Sequence, residues 1–438
     1  MTEDYLHYVW KTRQYNSSHL ITSHGEPVQV LDPGKHNKDS GPDFSDARLI
    51  IGTQFWAGNV EIHLKASDWL RHGHQFDAAY KNIVLHVVYE DDSGKNGIRQ
   101  LMPSASQTLA LQGRLEEGLY ARYQRFLNEQ KWVPCASDLA AVPGIISVGL
   151  LGRMMAERMA VKMQHIKQEL ELTGMDWEQS FYRFLLRSFG TRVNAEPFSW
   201  LARTLPWCLL ARKHDQLPVL EALLLGQAGL LPDIAPDKYC RTLSQTYQSL
   251  CKLHNLQPQP GHNWKHSRLR PANFPAVRLA QLAALIHKTP RLFHKMLSCQ
   301  SPAEALSLLD VTPSAYWRNH FMPGVKAAVS DKKLGAQMQQ LVLINVVIPF
   351  MFARGVMHDD DLLREKALNW LDELAPEQNT LIRNYQQHGL KATNASESQA
   401  LIHLHKNYCM HKNCLNCTIG RYLLEAPASV RVAVRKAG

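Results

Sequence analysis

Residues 41–88 read GPDFSDARLIIGTQFWAGNVEIHLKASDWLRHGHQFDAAYKNIVLHVV, and the fold follows from how this stretch is divided. Asp43 stands at the mouth of a strand over 44–51, in which Ala47, Leu49 and Ile51 share a face. A hairpin over Gly52–Gly58 returns the chain through a strand over Asn59–Lys65. Side chains alternate between the faces of a strand, so Glu61, His63 and Lys65 share one face while Val60, Ile62 and Leu64 take the other. A polar row backed by an aliphatic row suits a strand with one face on a core and the other on a cleft. A Gly-broken segment with His72, His74, Asp77 and Tyr80 follows, helical over 76–81. The run Ile83–Tyr89 is β-branched and almost wholly apolar, as in a strand buried on both faces. His86 is its exception, and an imidazole there requires a hydrogen-bond partner. These residues form the candidate active site.

Working outward, residues 3–14 pattern as a helix with Tyr5, Val9 and Trp10 on one face. Pro27–Leu31 is a short strand closed by the turn former Asp32-Pro33-Gly34. Beyond the central stretch, residues 93–97 turn the chain into a last strand over Ile98–Met102. The order helix, strand, hairpin, short helix, strand resembles the αβββαβ, restriction-endonuclease-like core of the PD-(D/E)xK nuclease superfamily. Pro42-Asp43 and Glu61-Ile62-His63 carry the likeness. It implies that Asp43 and Glu61 hold Mg²⁺ or Mn²⁺, with His63 or Lys65 placing the attacking water. Hard divalent ions favour carboxylate oxygens, and phosphodiester hydrolysis needs both an activated water and charge stabilisation. The sequence departs from the pattern where His63 replaces the lysine expected two residues after Glu61, and Lys65 lies one strand repeat later. Two other readings stay open. One is a binding module that keeps the fold without the chemistry, with Asp43 a turn cap and Glu61 and His63 on a solvated hairpin. The other is a small-molecule hydrolase with a metal on His63, His72, His74, Asp77 and His86.

From Leu109 onward the pattern is helical, with long helices over 111–130 and 145–172. This gives a nuclease-like α/β domain over 1–108, a large helical domain over 109–400 and a cysteine-bearing segment over 401–438 packed on the helical domain. Four of the eight cysteines (Cys208, Cys240, Cys251 and Cys299) stand alone in apolar helical contexts, as small buried hydrophobes do. Cys409, Cys414 and Cys417 cluster at metal-ligand spacing instead. Cys135, after Pro134, would complete an all-thiolate site for Zn²⁺ or a [4Fe–4S] cluster, and His405 or His411 a Cys₃His zinc site.

The net charge of +10 favours a polyanionic partner, most simply nucleic acid. Residues 262–281 gather Lys265, Arg268, Arg270 and Arg278 around Trp264 and Phe274, a mixture suited to a phosphate backbone and a stacked base. The same residues would also serve as a structured connector. No run of eighteen apolar residues and no signal-peptide pattern occur, so a membrane span is not expected and the cytoplasm is the expected location. Over nearly its whole length the chain also resembles a bacterial family of unknown function. The marks are GPDF, VEIH, DWLRHGHQFDAAY, LHVV, EALLLGQAGLL, RLRPANFP and the terminal cysteines; the likeness brings no activity with it.

Overall fold

The computed structural model describes residues 1–37, 40–95, 107–267 and 269–425. An N-terminal mixed sheet is followed by a mostly helical region. The first helix, α1 (Glu3–Thr12), is capped by the Thr2 hydroxyl, which accepts from the Tyr5 N–H, and buries Tyr5, Leu6, Val9 and Trp10. The strands are β1 (Val28–Asp32), β2 (Lys35–His36), β3 (Phe44–Ile51), β4 (Gln54–Lys65), β5 (Ile83–Glu90) and β6 (Gln107–Ala110). They lie in the order β1-β3-β4-β5-β6, with β2 paired to β3. The β1–β3–β4 meander is antiparallel, whereas β4, β5 and β6 run parallel. Between β4 and β5 the chain forms the short helix α2 (Asp68–Arg71) and two 3₁₀ turns, which close the crossover that a parallel pair demands.

The expected strand over 44–51 is observed with its stated limits, and Ala47, Leu49 and Ile51 are buried together. The hairpin is tighter than expected, because Ile51 pairs with Gln54 across a two-residue turn. The last strand expected over Ile98–Met102 lies outside the described residues. Leu109 and Ala110 belong to β6 and not to a helix, since they complete the parallel ladder beside Val87 and Val88. The helix expected over 111–130 is α3 (Glu117–Asn128), and α4 spans Gly144–Leu172.

The compact units divide the chain elsewhere than at 108 and 400. The first takes residues 1–150, 388–390 and 404–438, and the second takes 151–387 and 391–403. The cysteine-bearing segment therefore belongs with the sheet and not with the helical region. Tyr5 packs on Tyr120 and Tyr123 of α3, with ring centroids at 5.0 and 5.5 Å. Arg122 Nε donates to the Leu424 carbonyl at 2.8 Å, and Tyr8 donates to Glu425 at 2.5 Å.

Within the second unit, Phe181, Phe293 and Phe350 form a triangle with centroid separations of 5.1, 5.4 and 5.7 Å. The stretch Ala336–Met357 is long and apolar enough to cross a membrane by length and composition, and its most apolar window is 61% buried. A π-helical turn over Leu343–Val347 interrupts it, and Asn345 there accepts from Arg158 at 2.8 Å. Of the solitary cysteines, Cys240 and Cys299 are buried as expected, Cys251 is half-buried, and Cys208 is exposed because it falls on the outer side of a one-turn helix (Trp207–Ala211).

Leu85 has no exposed surface, in a strand flanked on both sides. Truncation by Leu85→Ala is expected to cost ~2–5 kcal/mol, the range for a buried leucine whose cavity cannot collapse. Urea unfolding followed by circular dichroism would register it as a lower midpoint with an unchanged slope.

Candidate metal centre

Asp43 and Glu61 are joined reciprocally. Glu61 Oε2 accepts from the Asp43 N–H at 3.1 Å, and Asp43 Oδ2 accepts from the Ile62 N–H at 2.9 Å. The carboxylates are therefore set at the end of the β3–β4 ladder, one residue beyond the Phe44–Val60 pair. Glu61 is 4% exposed and His63 1% exposed, so the polar row of β4 is buried and does not form a solvated face.

The crossover brings in the other donors. Asp68 Oδ2 accepts from the Lys65 N–H at 3.1 Å, fixing the start of α2. Gly73 has φ of +74°, a conformation few side chains tolerate, and it turns the chain so that both flanking histidines face β4. His63 Nε2 lies 3.1 Å from His72 Nδ1, 3.3 Å from His74 Nε2 and 3.6 Å from Glu61 Oε1. His74 Nε2 is itself 3.3 Å from Glu61 Oε1. The three imidazoles each offer a nitrogen within 4.8 Å of the others. Trp69 walls the group, with its ring 5.3 Å from His74 and 5.4 Å from His86, and Tyr80 stacks on His74 at 3.9 Å.

On its other edge, His63 Nδ1 meets His86 Nε2 at 2.8 Å. That contact supplies the partner that an imidazole in β5 requires, although His86 Nδ1 is buried without one. A neutral imidazole has one N–H and one lone pair. His63 Nε2 therefore satisfies at most one of its three polar neighbours by hydrogen bonding. A cation shared by the three imidazoles would relieve this crowding: bonds of about 2.0–2.1 Å place tetrahedral ligand atoms about 3.4 Å apart, close to the spacings of His63 Nε2 from its histidine neighbours.

The electrostatics point the same way. Burial, then the neighbouring Asp43 charge, pushes Glu61 up to about 8. Burial, then the adjacent histidines, pushes His63 down to about 2, and burial pulls His86 down to about 3. Burial therefore favours the neutral form of His63 and His74, the form in which an imidazole binds a metal, whereas Glu61 has to lose its proton to serve as a ligand.

His7 was not read as a site residue. Its Nε2 lies 3.2 Å from Asp43 Oδ2. Burial works against its charged form, but contact with Asp43, aided by Asp4 and Glu3, raises its pKa overall. Its position on α1, thirty-six residues before Asp43, left no local spacing to betray it. Lys65 is placed away from the cluster. The parallel register sets it beside Glu90, to which its half-exposed ammonium reaches at 3.7 Å. Asp77 is exposed and caps the second 3₁₀ turn by accepting from the Ala79 N–H at 2.9 Å, and its charge acts on His74 and Tyr80 from the site's edge.

The basic stretch is partly a connector. Arg278 is buried, donating to Gln281 at 3.0 Å and Asn273 at 2.7 Å, and Trp264 is buried with its indole donating to the Ala228 carbonyl at 2.7 Å. Lys265 and Arg270 are exposed. Arg268 lies outside the described residues.

The second constellation is at the cysteines. Cys135, Cys414 and Cys417 are buried, and Cys409 is half-buried. All four belong to the first unit. Burial raises the cost of a thiolate at Cys135, and the charges of Cys409, Cys417 and Cys414 add to it.

A family model described as a protein of unknown function (DUF2851) matches residues 3–380. The chain belongs to the DUF2851 family. The match takes in the whole candidate metal centre and Cys135, whereas Cys409, Cys414 and Cys417 of this DUF2851 protein lie beyond it. No curated protein and no solved structure was found to match.

His86 touches His63 and none of the other donors described above, so its substitution isolates the effect of orienting that ring. His86→Leu is expected to lower Mn²⁺ or Zn²⁺ affinity by ~10–100-fold, as loss of a ligand's outer hydrogen-bond partner does. Calorimetric titration of the two forms would measure it; unchanged affinity would remove His86 from the site.

Proposed function

We propose that the first unit is a metal-dependent hydrolase of phosphodiester bonds in nucleic acid. The observation that carries this reading is the convergence of Glu61 Oε1, His72 Nδ1 and His74 Nε2 on His63 Nε2, beside Asp43. Glu61, His63, His72 and His74 would hold the ion. With imidazole nitrogens in the majority, the set suits Mn²⁺ or Zn²⁺ better than Mg²⁺, which prefers oxygen. When bound, such an ion supplies an acidified water and offsets charge on a phosphoryl oxygen.

The chain's own residues supply position. His7 and the Ile62 N–H hold the Asp43 carboxylate from two sides, His86 fixes the His63 ring, and Trp69 with Tyr80 packs on His74, while His72 stays exposed. Preference for nucleic acid rests on two further supports. One is the order of α1, β1, β3, β4, the crossover and β5, with Asp43 opening one strand and Glu61 in the next. It supports the PD-(D/E)xK resemblance of the sequence in outline, with a crossover that holds only the short helix α2. The other is the net charge of +10, with exposed Lys265 and Arg270. In this reading the role expected of Lys65 is vacant, because its ammonium is engaged by Glu90.

The imidazole-rich donor set favours a second reading, a hydrolase of small phosphoesters on the same centre. One experiment separates the two. The full chain is incubated with Mn²⁺, Zn²⁺ or Mg²⁺ and a panel of single- and double-stranded DNA and RNA, with a small aryl phosphodiester in parallel. Cleavage of nucleic acid is expected with Mn²⁺ or Zn²⁺, falling to background in Glu61→Ala and His74→Ala and unchanged in Lys65→Ala. Turnover of the aryl ester alone would select the second reading. Salt-dependent binding of nucleic acid without cleavage under any of the three ions would leave a binding module in place of an enzyme.

A further inference from the structure

We propose that Cys135, Cys409, Cys414 and Cys417 together bind one metal centre through their thiolates, separate from the histidine site. The backbone around the last three is built as a knuckle. A π-helical turn over His405–Cys409 ends at the first of them. Lys412 then takes a left-handed conformation with φ of 50°, and its N–H returns to the Cys409 carbonyl at 3.1 Å. The Asn413 N–H donates to the Tyr408 carbonyl at 2.9 Å, and a 3₁₀ turn over Cys414–Asn416 closes with the Cys417 N–H on the Cys414 carbonyl at 3.2 Å. The helix Thr418–Glu425 then leaves so close to the knuckle that a Cβ on Gly420 would lie 2.2 Å from the Cys414 carbonyl oxygen. Two reversals within nine residues thus turn the chain back on itself around three thiols.

The fourth thiol is carried in on a separate segment that is fastened on both sides. Lys412 Nζ donates to the Leu127 carbonyl at the end of α3. Farther along, Trp132 stacks against His405, with centroids 6.2 Å apart, and meets His388 at a tilt with centroids 5.4 Å apart. Cys135 follows three residues after Trp132, is 9% exposed, and has the other three thiols as its electrostatic neighbours. A core filled by cysteines as small hydrophobes needs no such convergence, and Cys240 and Cys299 are buried one at a time. Four converging sulfurs are the donor set of a tetrahedral zinc ion or of an iron–sulfur cluster. His405 is the rival fourth ligand: its ring stacks on Trp132, which leaves its buried Nδ1 without a hydrogen-bond partner, and the variants below decide between it and Cys135.

The test uses the full chain carrying His63→Ala and His74→Ala, which silences the histidine site, purified without oxygen. Zinc, iron and acid-labile sulfide are quantified, and the visible spectrum is recorded. One equivalent of zinc in colourless protein, or iron with sulfide in brown protein, supports the centre and tells which it is. Cys135→Ser and Cys414→Ser are each expected to lose the metal entirely, and His405→Ala to retain it. Should the serine variants fail to fold, thiol accessibility in the unsubstituted cysteine background decides. Four thiols should be shielded from a disulfide reagent until a chelator is added. Protein that stays metal-free after reconstitution with Zn²⁺ or with iron and sulfide overturns the proposal, as does metal that survives Cys414→Ser. Metal lost from His405→Ala but kept by Cys135→Ser overturns the assignment of the fourth ligand.

Discussion

The paired exchange between Asp43 and Glu61 is the contact on which the sheet's polar interior depends. Past the Phe44–Val60 pair, where the β3–β4 ladder ends, Glu61 accepts from the Asp43 N–H and Asp43 from the Ile62 N–H, so each carboxylate stands in for a ladder bond. A buried N–H left without an acceptor costs roughly 1–3 kcal/mol, so the two acids have a structural use whatever chemistry they perform. The same bonds hold the two carboxylates next to each other beside the histidines. Function and fold compete here for the same oxygen atoms, and two oxygens per carboxylate allow both.

Behind that pair lies a continuous buried row in which histidine is the dominant residue. Neutral imidazoles tolerate burial far better than charged groups, provided every nitrogen finds a partner. His63 meets that condition on the His86 side and exceeds it on the other, where three polar atoms crowd one nitrogen. In the proposed metal centre a shared cation would relieve that excess.

Much of this was legible in the chain. Alternation along 59–65 put Glu61 and His63 on one face, and His86 stood out as the polar exception in an apolar run. The destination of Lys65 was not legible. Alternation fixes the side of a strand but not how far along it the protein still covers that side, and β4 runs out into solvent beside Glu90. His7 could not be found because its relation to Asp43 is made by helix packing and has no sequence period. Arg278 was misjudged for a similar reason: a basic residue beside aromatics reads as a binding surface until a buried partner such as Gln281 is seen. The cysteine segment read as an appendage of the helical region because it follows that region, whereas contacts such as Tyr8 with Glu425 tie it to the first turns of the chain.

That last arrangement bears on how the protein is made. A ribosome delivers the chain from its N-terminus at about 5–20 residues per second. Between residue 150 and residue 404, where the first unit is interrupted, synthesis therefore runs for roughly ten to fifty seconds. Throughout that interval the nascent sheet carries α1 and α3 with their shared aromatic surface uncovered, while the intervening helices are already free to fold. The early part of the molecule is the last to be finished, and any chaperone that attends this protein has its longest task at the beginning of the chain.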